Sequence, residues 1–581
     1  MLRGLLASVA MSVVLAGAVP AWAEDTAFIN AKIFTGNAAA PSAQAVAIRD
    51  GNILAVGSNE DVEKAVEADA EIIDLKGGFL MPGMIDAHAH AILAGFGEVS
   101  AFLPEGAKTI EDLAKYTAEA KASGLAMVGD VVRIGVFTAA MWTPEQLDAT
   151  LSAAPYDATP VILVGTDGHT GWANKVMLGR AGITKESVAA LPEADRKFYT
   201  LGADGVPNGF LVDAGWDRIL SALPPVPEEA QKDALRVAIK TMNGVGVTAW
   251  LDPLVNIAPS QAVFSASPPK EQEGVLPIYK AFADSGELTA HVTGMVLQNS
   301  ASGPEAVEVY RTLAAKYPAT DTLMVGGIKI FADGVIEFPA QTALVSLPYK
   351  NLGTNGPDVI GTDKFKALVT EADKSGALVH IHAIGDKAVT QALDGIAAAR
   401  SANGDSGIAH SITHLEIVQP SDFPRFKETG AIAVMQLLWA LKDEFTVDML
   451  EPYLDPSLME NIYPAASLAK AGATISGASD WPVSTPNPFL AIKTAIDREG
   501  PQGKLNPDEA VTAEQMLYAY TINSAKAVRR DDRIGSIEPG KAADLVLVSR
   551  DLLSATPAEI GEAKVLWTMF AGKKVFEYED N

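Results

Sequence analysis

The sequence predicts an α/β fold: a closed barrel of parallel strands and helices, with a small β domain built from both ends of the chain. Three observations predict it. The middle of the chain alternates strand-like apolar runs with Ala-rich helical stretches. Hairpin signals stand at the two ends, with none of that kind between them. Reactive side chains sit at the ends of several strand-like runs far apart in sequence, and only a closed barrel brings such ends to one point.

The terminal elements come first. Residues 27–80 have the pattern of short strands with turns. Ala45 to Arg49 and Asn52 to Gly57 flank Asp50-Gly51, a strong hairpin signal. At the other end, Ala543 to Val548 is a strand, and Val565 to Phe570 with Val575 to Glu577 form a second hairpin around Ala571-Gly572. The expected small domain therefore joins 24–80 with 535–581, and 81–534 forms the barrel. Within the barrel, Val161–Val164, Gly326–Phe331, Leu378–His382 and Ala431–Met435 are strand candidates. Ile110–Ala122, Glu228–Asn243 and Lys364–Ser375 are helix candidates. The Pro-, Gly- and Asp-rich stretch at about 143–223 is expected as an insertion that caps the barrel mouth.

Composition narrows the function. The 581 residues carry a net charge of −27, which disfavours nucleic acid and anionic lipid as partners. A small-molecule substrate is expected, and self-association into a homo-oligomer is left open. There are no cysteines, so disulfides and Cys-type zinc sites are excluded. Residues 1–23 resemble a secretory signal: Arg3, an apolar stretch from Leu5 to Val19, and Ala21-Trp22-Ala23 at the cleavage position. A bacterial periplasmic or secreted location follows, with no stable membrane anchor after cleavage.

The most informative stretch is Gly78-Phe79-Leu80-Met81-Pro82-Gly83-Met84-Ile85-Asp86-Ala87-His88-Ala89-His90. Alternate strand residues face the same way, so His88 and His90 can aim at one ion. The chain has only eight histidines. Four more features converge with this pair: Lys329 in Gly326-Gly327-Ile328-Lys329, His382 in His380-Ile381-His382, His414 in Thr413-His414-Leu415-Glu416, and Asp480 in Ser479-Asp480-Trp481-Pro482. Bland readings exist for each. Lys329 could pair with Asp333, His380 could replace His382 as a ligand, and Asp480 could cap a helix or turn.

At these residues the chain resembles the amidohydrolase superfamily, in its YtcJ-like branch, which includes N-substituted formamide deformylase. The anchors are Met81 to His90, His382-Ala383-Ile384-Gly385-Asp386, Ser479 to Val483, and Ile534-Gly535-Ser536-Ile537-Glu538-Pro539-Gly540-Lys541-Ala542-Ala543-Asp544-Leu545. The resemblance covers nearly the whole chain after the leader. It implies a distorted (β/α)8 TIM barrel, a composite β-sandwich, and one or two divalent ions, usually zinc. It implies that His88, His90 and Asp480 hold one ion and His382 and His414 the other, with a carbamate on Lys329 bridging them. Asp480 would also move the proton, while a metal-activated hydroxide attacks a non-peptide carbon–nitrogen bond of the N-substituted amide or formamide class. A carboxylic ester or lactone hydrolase is the nearest rival, and a non-catalytic metal- or solute-binding protein a more distant one.

A second cluster, Asp167-Gly168-His169-Thr170-Gly171-Trp172, resembles a segment that lines the substrate pocket in this family. His169, Trp172 and Gln436 are therefore expected substrate contacts, with Trp439 near them. His291 is expected to be structural, and His410 a surface or supporting residue. Two departures from the family pattern bear on the pocket: Ser411-Ile412-Thr413 precedes His414 in place of an arginine and an acid, and Leu437 replaces a proline.

Overall fold

The structure is a computed structural model that describes residues 25–579 apart from 105, 137, 139, 140 and 266. The expected leader, residues 1–23, lies outside the described residues. At the centre stands a parallel sheet of eight strands, β1 (Met84–Asp86), β2 (Val247–Asp252), β3 (His291–Leu297), β4 (Leu323–Phe331), β5 (Leu378–Ala383), β6 (Ser411–His414), β7 (Ile432–Met435) and β8 (Thr474–Gly477). Their order in the sheet is their order in the chain. The seam between β8 and β1 closes through single bonds: Ala87 N donates to Gly477 O at 3.1 Å, and Asp480 N donates to His88 O at 2.8 Å. The barrel is thus nearly closed, and every strand end opens on the same face.

Helices alternate with the strands because the apolar period switches between them. Glu228–Gly244, ahead of β2, buries Leu235, Ala238, Ile239 and Met242 on one stripe. Asp363–Lys374, ahead of β5, starts at Thr362, whose hydroxyl accepts from Phe365 N. Ile110–Ser123 opens on a Thr109/Asp112 capping box and stops at Gly124, with φ at 81°. Gly327 is required where β4 meets β5: a Cβ there would lie 1.9 Å from Leu378 O. No helix among the described residues is long and apolar enough to cross a membrane.

Two further layers flank the barrel. The chain ends interleave: Phe79–Pro82 pairs antiparallel with Leu545–Val548 and parallel with Lys32–Phe34. This sheet shares a core with the hairpin sheet of Thr26–Ile29, Ala45–Arg49 and Asn52–Gly57, through Phe28, Val46, Ile48, Leu80, Leu547 and Trp567. Between β1 and β2 lies a six-stranded sheet that reaches from Met127 to Val212. It takes in Met127–Val128 and Val131–Val136, upstream of residue 143, so the inserted layer is larger than the stretch singled out in the sequence. Its two faces have separate cores, one around Trp172 and Leu163 and one around Trp216 and Leu211.

Candidate functional site

The barrel gathers the dispersed candidates. His88 and His90 follow β1, Lys329 lies near the end of β4, His380 and His382 share one side of β5, His414 ends β6, and Asp480 follows β8. His88 Nε2 and His90 Nε2 each lie 3.2 Å from Asp480 Oδ1. His414 Nδ1 lies 3.9 Å from Asp480 Oδ2. One ligand atom from each of His88, His414 and Asp480 falls within 4.8 Å of the others.

The backbone is bent to achieve this. His414 and Asp480 have φ of 79° and 56°, in the left-handed region that non-glycine residues rarely adopt. Asp86 braces the turn. Its Oδ1 accepts from His88 N and Ser479 N at 3.1 Å each, and its Oδ2 accepts from Ser479 Oγ at 2.5 Å. The β1 and β8 ends are therefore tied through one carboxyl, which burial pushes up to about 7.

The donor set fits a divalent cation. His414 Nδ1 is buried without a hydrogen-bond partner, and Asp480 Oδ1 meets only the Nε2 atoms of His88 and His90, at 3.2 Å each. A buried unsatisfied polar atom costs about 1–3 kcal/mol, and an ion held by these atoms would satisfy it. Nitrogen and oxygen donors without sulfur suit zinc and its neighbours. Burial, with Lys329 next in weight, pushes the His88, His380 and His382 imidazoles well below their usual range. Burial and His382 do the same to His414. Burial works upward on the Asp480 carboxyl, but His90, His414 and Lys329 outweigh it and hold that carboxyl below its usual value. Neutral imidazoles around an ionised carboxylate are the protonation states that metal ligation needs.

Lys329 is 1% exposed. Burial pushes its ammonium down to about 7, against the pull of Asp480. Asp333, its expected alternative partner, is committed elsewhere: it accepts from Ile384 N, Gly385 N and Leu344 N at 3.0, 2.8 and 2.9 Å. His382 Nε2 faces Gly334 O at 3.0 Å and Asp333 Oδ1 at 3.5 Å. That nitrogen therefore carries the proton, and Nδ1 is the lone pair the ring can offer. His380 lies one step deeper and supports His88 from below: its Nε2 lies 2.6 Å from His88 Nδ1, and its Nδ1 lies 2.7 Å from Ser411 Oγ.

A cavity of about 300 Å³ opens beside this cluster, lined by His169, His382, His414, Glu416, Trp439 and Asp480 among others. His169 enters from the inserted sheet, its Nδ1 2.7 Å from Asp213 Oδ1. Burial pushes its imidazole down, but the Asp213 bond outweighs this and the net shift is upward. Trp439 stacks parallel to His414 at 5.9 Å. The other two expected substrate contacts lie elsewhere. Trp172 is in the core of the inserted sheet, its indole donating to Asn208 O at 3.1 Å; it shares a strand face with the cavity-lining Thr170 but stands two residues further along, outside the lining. Gln436 is fully buried and donates to Thr413 Oγ1 at 3.2 Å, outside the cavity lining.

The remaining histidines are structural. His291 links Asp321 O at 2.5 Å to Asp544 Oδ2 at 2.8 Å, joining β3 to the terminal sheet. His410 is wholly buried, accepting from Val379 N and lying 3.0 Å from Asp373 Oδ1. Sequence reasoning passed over Asp86 and Ser479, which brace the site, and Glu337 and Glu416, which line the cavity. Asp86 and Ser479 stood inside quoted motifs, and Glu416 two residues after His414, so position was the available signal.

Comparison with known proteins agrees with the geometry. The Amidohydro_3 model, described as amidohydrolase family, matches residues 71–576. N-substituted formamide deformylase of Arthrobacter pascens is 29% identical over 568 residues, covering 96% of this chain and 98% of that one. YtcJ of Bacillus subtilis (strain 168) is 26% identical over 543 residues, covering 92% and 96%. The fold matches the crystal structure of an uncharacterized metal-dependent hydrolase from Pyrococcus horikoshii OT3, at TM-score 0.69 and 24% identity, over 92% of this chain and 99% of that one. With the family model spanning most of its length, this chain belongs to the amidohydrolase family.

Proposed function

We propose that this protein is a metal-dependent hydrolase of a non-peptide carbon–nitrogen bond, acting on an N-substituted amide or formamide. The observation that carries the reading is the convergence of buried ligand atoms of His88, His414 and Asp480 within 4.8 Å of one another, with His90 Nε2 3.2 Å from Asp480 Oδ1. The full-length likeness to a formamide deformylase supports the substrate class.

His88, His90, His414 and Asp480 would hold one ion, with His382 Nδ1 and Lys329 as the candidate ligands of a second. Zinc is the metal this donor set favours. A bound divalent ion supplies Lewis-acid polarisation of the substrate carbonyl and lowers the pKa of water. The chain's own groups do the rest. Asp480, ionised at neutral pH, accepts the proton of the attacking water at a carboxylate oxygen and delivers it to the departing nitrogen. His88 is held in the productive tautomer by His380. Trp439 and His169 bound the space where the substrate rests. Lys329, near neutrality by burial, is suited to take up CO2 as a carbamate. The Ala21-Trp22-Ala23 pattern supports export to the periplasm or beyond.

The test is metal content together with turnover. Purified protein is expected to hold one or two equivalents of zinc and to release amine from N-substituted formamides. Rapid cleavage of matched esters with no amide turnover would displace the amide assignment.

A further inference from the structure

A second cavity, of about 190 Å³, also reaches the metal cluster: His90 and Pro482 line it, and it shares Thr166 with the first. The helix Ala91–Glu98 starts directly after His90 and gives Ile92, Leu93 and Phe96 to the lining. The inserted strand Val131–Val136 gives Arg133 and Gly135, alternate residues of one face, while Val132 and Ile134 pack into a core of that sheet. Gly135 has no room for a side chain. A Cβ there would lie 2.5 Å from Cδ2 of Phe102, an exposed aromatic residue that also lines the cavity.

Among the described residues that line this cavity, Arg133 is the one lysine or arginine and Asp252 the one acid. Asp252 is committed elsewhere: it accepts from Tyr279 Oη at 2.6 Å and from Leu254 N at 3.1 Å. The Arg133 guanidinium has neither a hydrogen bond nor an ion pair among the described residues. Its Cζ stands 5.5 Å from the centre of the Phe96 ring, which places the charged head at the cavity wall. Burial pushes the guanidinium down to about 10, with no carboxylate to oppose it. Arg498 and Arg530 are pushed as far, but both donate to backbone carbonyls: Arg498 to Leu505 O and Tyr463 O, Arg530 to Asp321 O and Val292 O. A desolvated cation without a partner costs free energy until an anion meets it. Internal partners are plentiful in a chain with 72 acids to 45 lysines and arginines, so a guanidinium left unpaired at a cavity marks a place for an anion from outside. From His90 to Phe96 the helix rises roughly 9 Å, a span that a six-carbon arm covers.

We infer that this second cavity is a subsite for an anionic arm of the substrate, whose carboxylate pairs with Arg133 while its apolar stem lies along Phe96 towards His90. This rests on the hydrolase reading above and names the substrate class within it: N-substituted amides that carry a carboxylate at the far end of an apolar arm.

The experiment compares three formamides of equal length, 6-formamidohexanoate, N-hexylformamide and 5-formamidopentylammonium, in metal-loaded protein. Expected is kcat/KM for the anion about tenfold or more above the neutral compound, with the cation lowest. Arg133→Met keeps an apolar side chain against Phe96 and removes the charge, and the ratio of anion to neutral compound is expected to fall towards one. Binding is followed in parallel by the thermal shift from hexane-1-sulfonate, hexanol and hexylammonium, none of which has a bond to cleave. A sulfonate pairs with a guanidinium but is a poor ligand for zinc, so its shift reports Arg133 and not the metal. A shift specific to hexanesulfonate that Arg133→Met abolishes supports the subsite even if no formamide is hydrolysed, in which case only the amide-hydrolase reading fails. Equal binding and equal turnover of charged and neutral members by wild type overturn the inference and leave the hydrolase reading standing, and so does an anion preference that Arg133→Met keeps. Should Arg133→Met fail to fold, the wild-type order decides alone. The net charge of −27 favours the cation over the rest of the surface, so hexylammonium binding as well as hexanesulfonate overturns the inference.

Discussion

His88 Nδ1 lies 2.6 Å from His380 Nε2, and His380 Nδ1 lies 2.7 Å from Ser411 Oγ. If His88 offers Nε2 to an ion, its Nδ1 carries the proton and donates to His380, which donates in turn to Ser411. His380 is then the residue that fixes the ring and tautomer of His88, a different role from the ligand that strand alternation alone allows it to be.

The first prediction concerns this chain of rings. His380→Ala removes the acceptor for His88 and leaves Nδ1 unpartnered. Metal affinity is expected to fall about 10- to 100-fold. Competition with a chelator of known affinity, on wild type and variant, measures it. Unchanged affinity would mean that His88 is oriented by other contacts.

Asp480→Asn keeps the shape of the side chain and removes its capacity to take a proton. Turnover of a good substrate is expected to fall by about 10²- to 10⁴-fold. KM and circular dichroism report whether the site stays assembled. A variant with near wild-type kcat would show that Asp480 does not move the proton.

Lys329 is held near neutrality by burial, with its ammonium pushed down to about 7. A neutral amine can add CO2, which a protonated one cannot. Two equivalents of metal in the wild type are expected to fall to one or fewer in Lys329→Ala. Apoprotein reloaded with zinc in bicarbonate-free buffer is expected to regain less activity than with bicarbonate. Equal occupancy in the variant would remove the lysine from the metal set.

The brace between β1 and β8 has a stability cost when cut. Ser479→Ala leaves Asp86 Oδ2 without its 2.5 Å donor in a buried position. A loss of about 1–3 kcal/mol is expected in urea unfolding, with a further loss of turnover because Asp480 follows Ser479 directly.

His410 predicts a pH dependence remote from the site. Burial holds its imidazole below the usual value, against the Asp373 bond. A depressed folded pKa means that the stabilisation is present above the unfolded value of about 6.5 and is lost as pH falls through the folded one. Between pH 7.5 and 5 the melting temperature of wild type is expected to fall more steeply than that of His410→Gln. Parallel slopes would show that His410 titrates alike in both states.

Much of this protein was legible in its sequence, and the reason is periodicity. The Asp50-Gly51 and Ala571-Gly572 hairpins form where turn chemistry put them, with φ of 50°, 75°, 46° and 76°. The helix expected over Glu228–Asn243 runs Glu228–Gly244. His88, His90, Lys329, His382, His414 and Asp480 were all nameable beforehand, because each stands at or just past the end of a strand and the barrel maps strand ends to one mouth. What the chain could not reveal was contact across that mouth. Strand alternation puts His380 and His382 on one side of β5 but does not say that one braces His88 while the other turns Nε2 to Gly334. Nor does it say that Trp172 packs inward in the inserted sheet, or that a reversal at His414 brings Glu416 into the cavity. Local pattern fixes which face a residue takes. Which atoms meet there depends on strand register and loop backbone, and these are set only when the whole barrel closes.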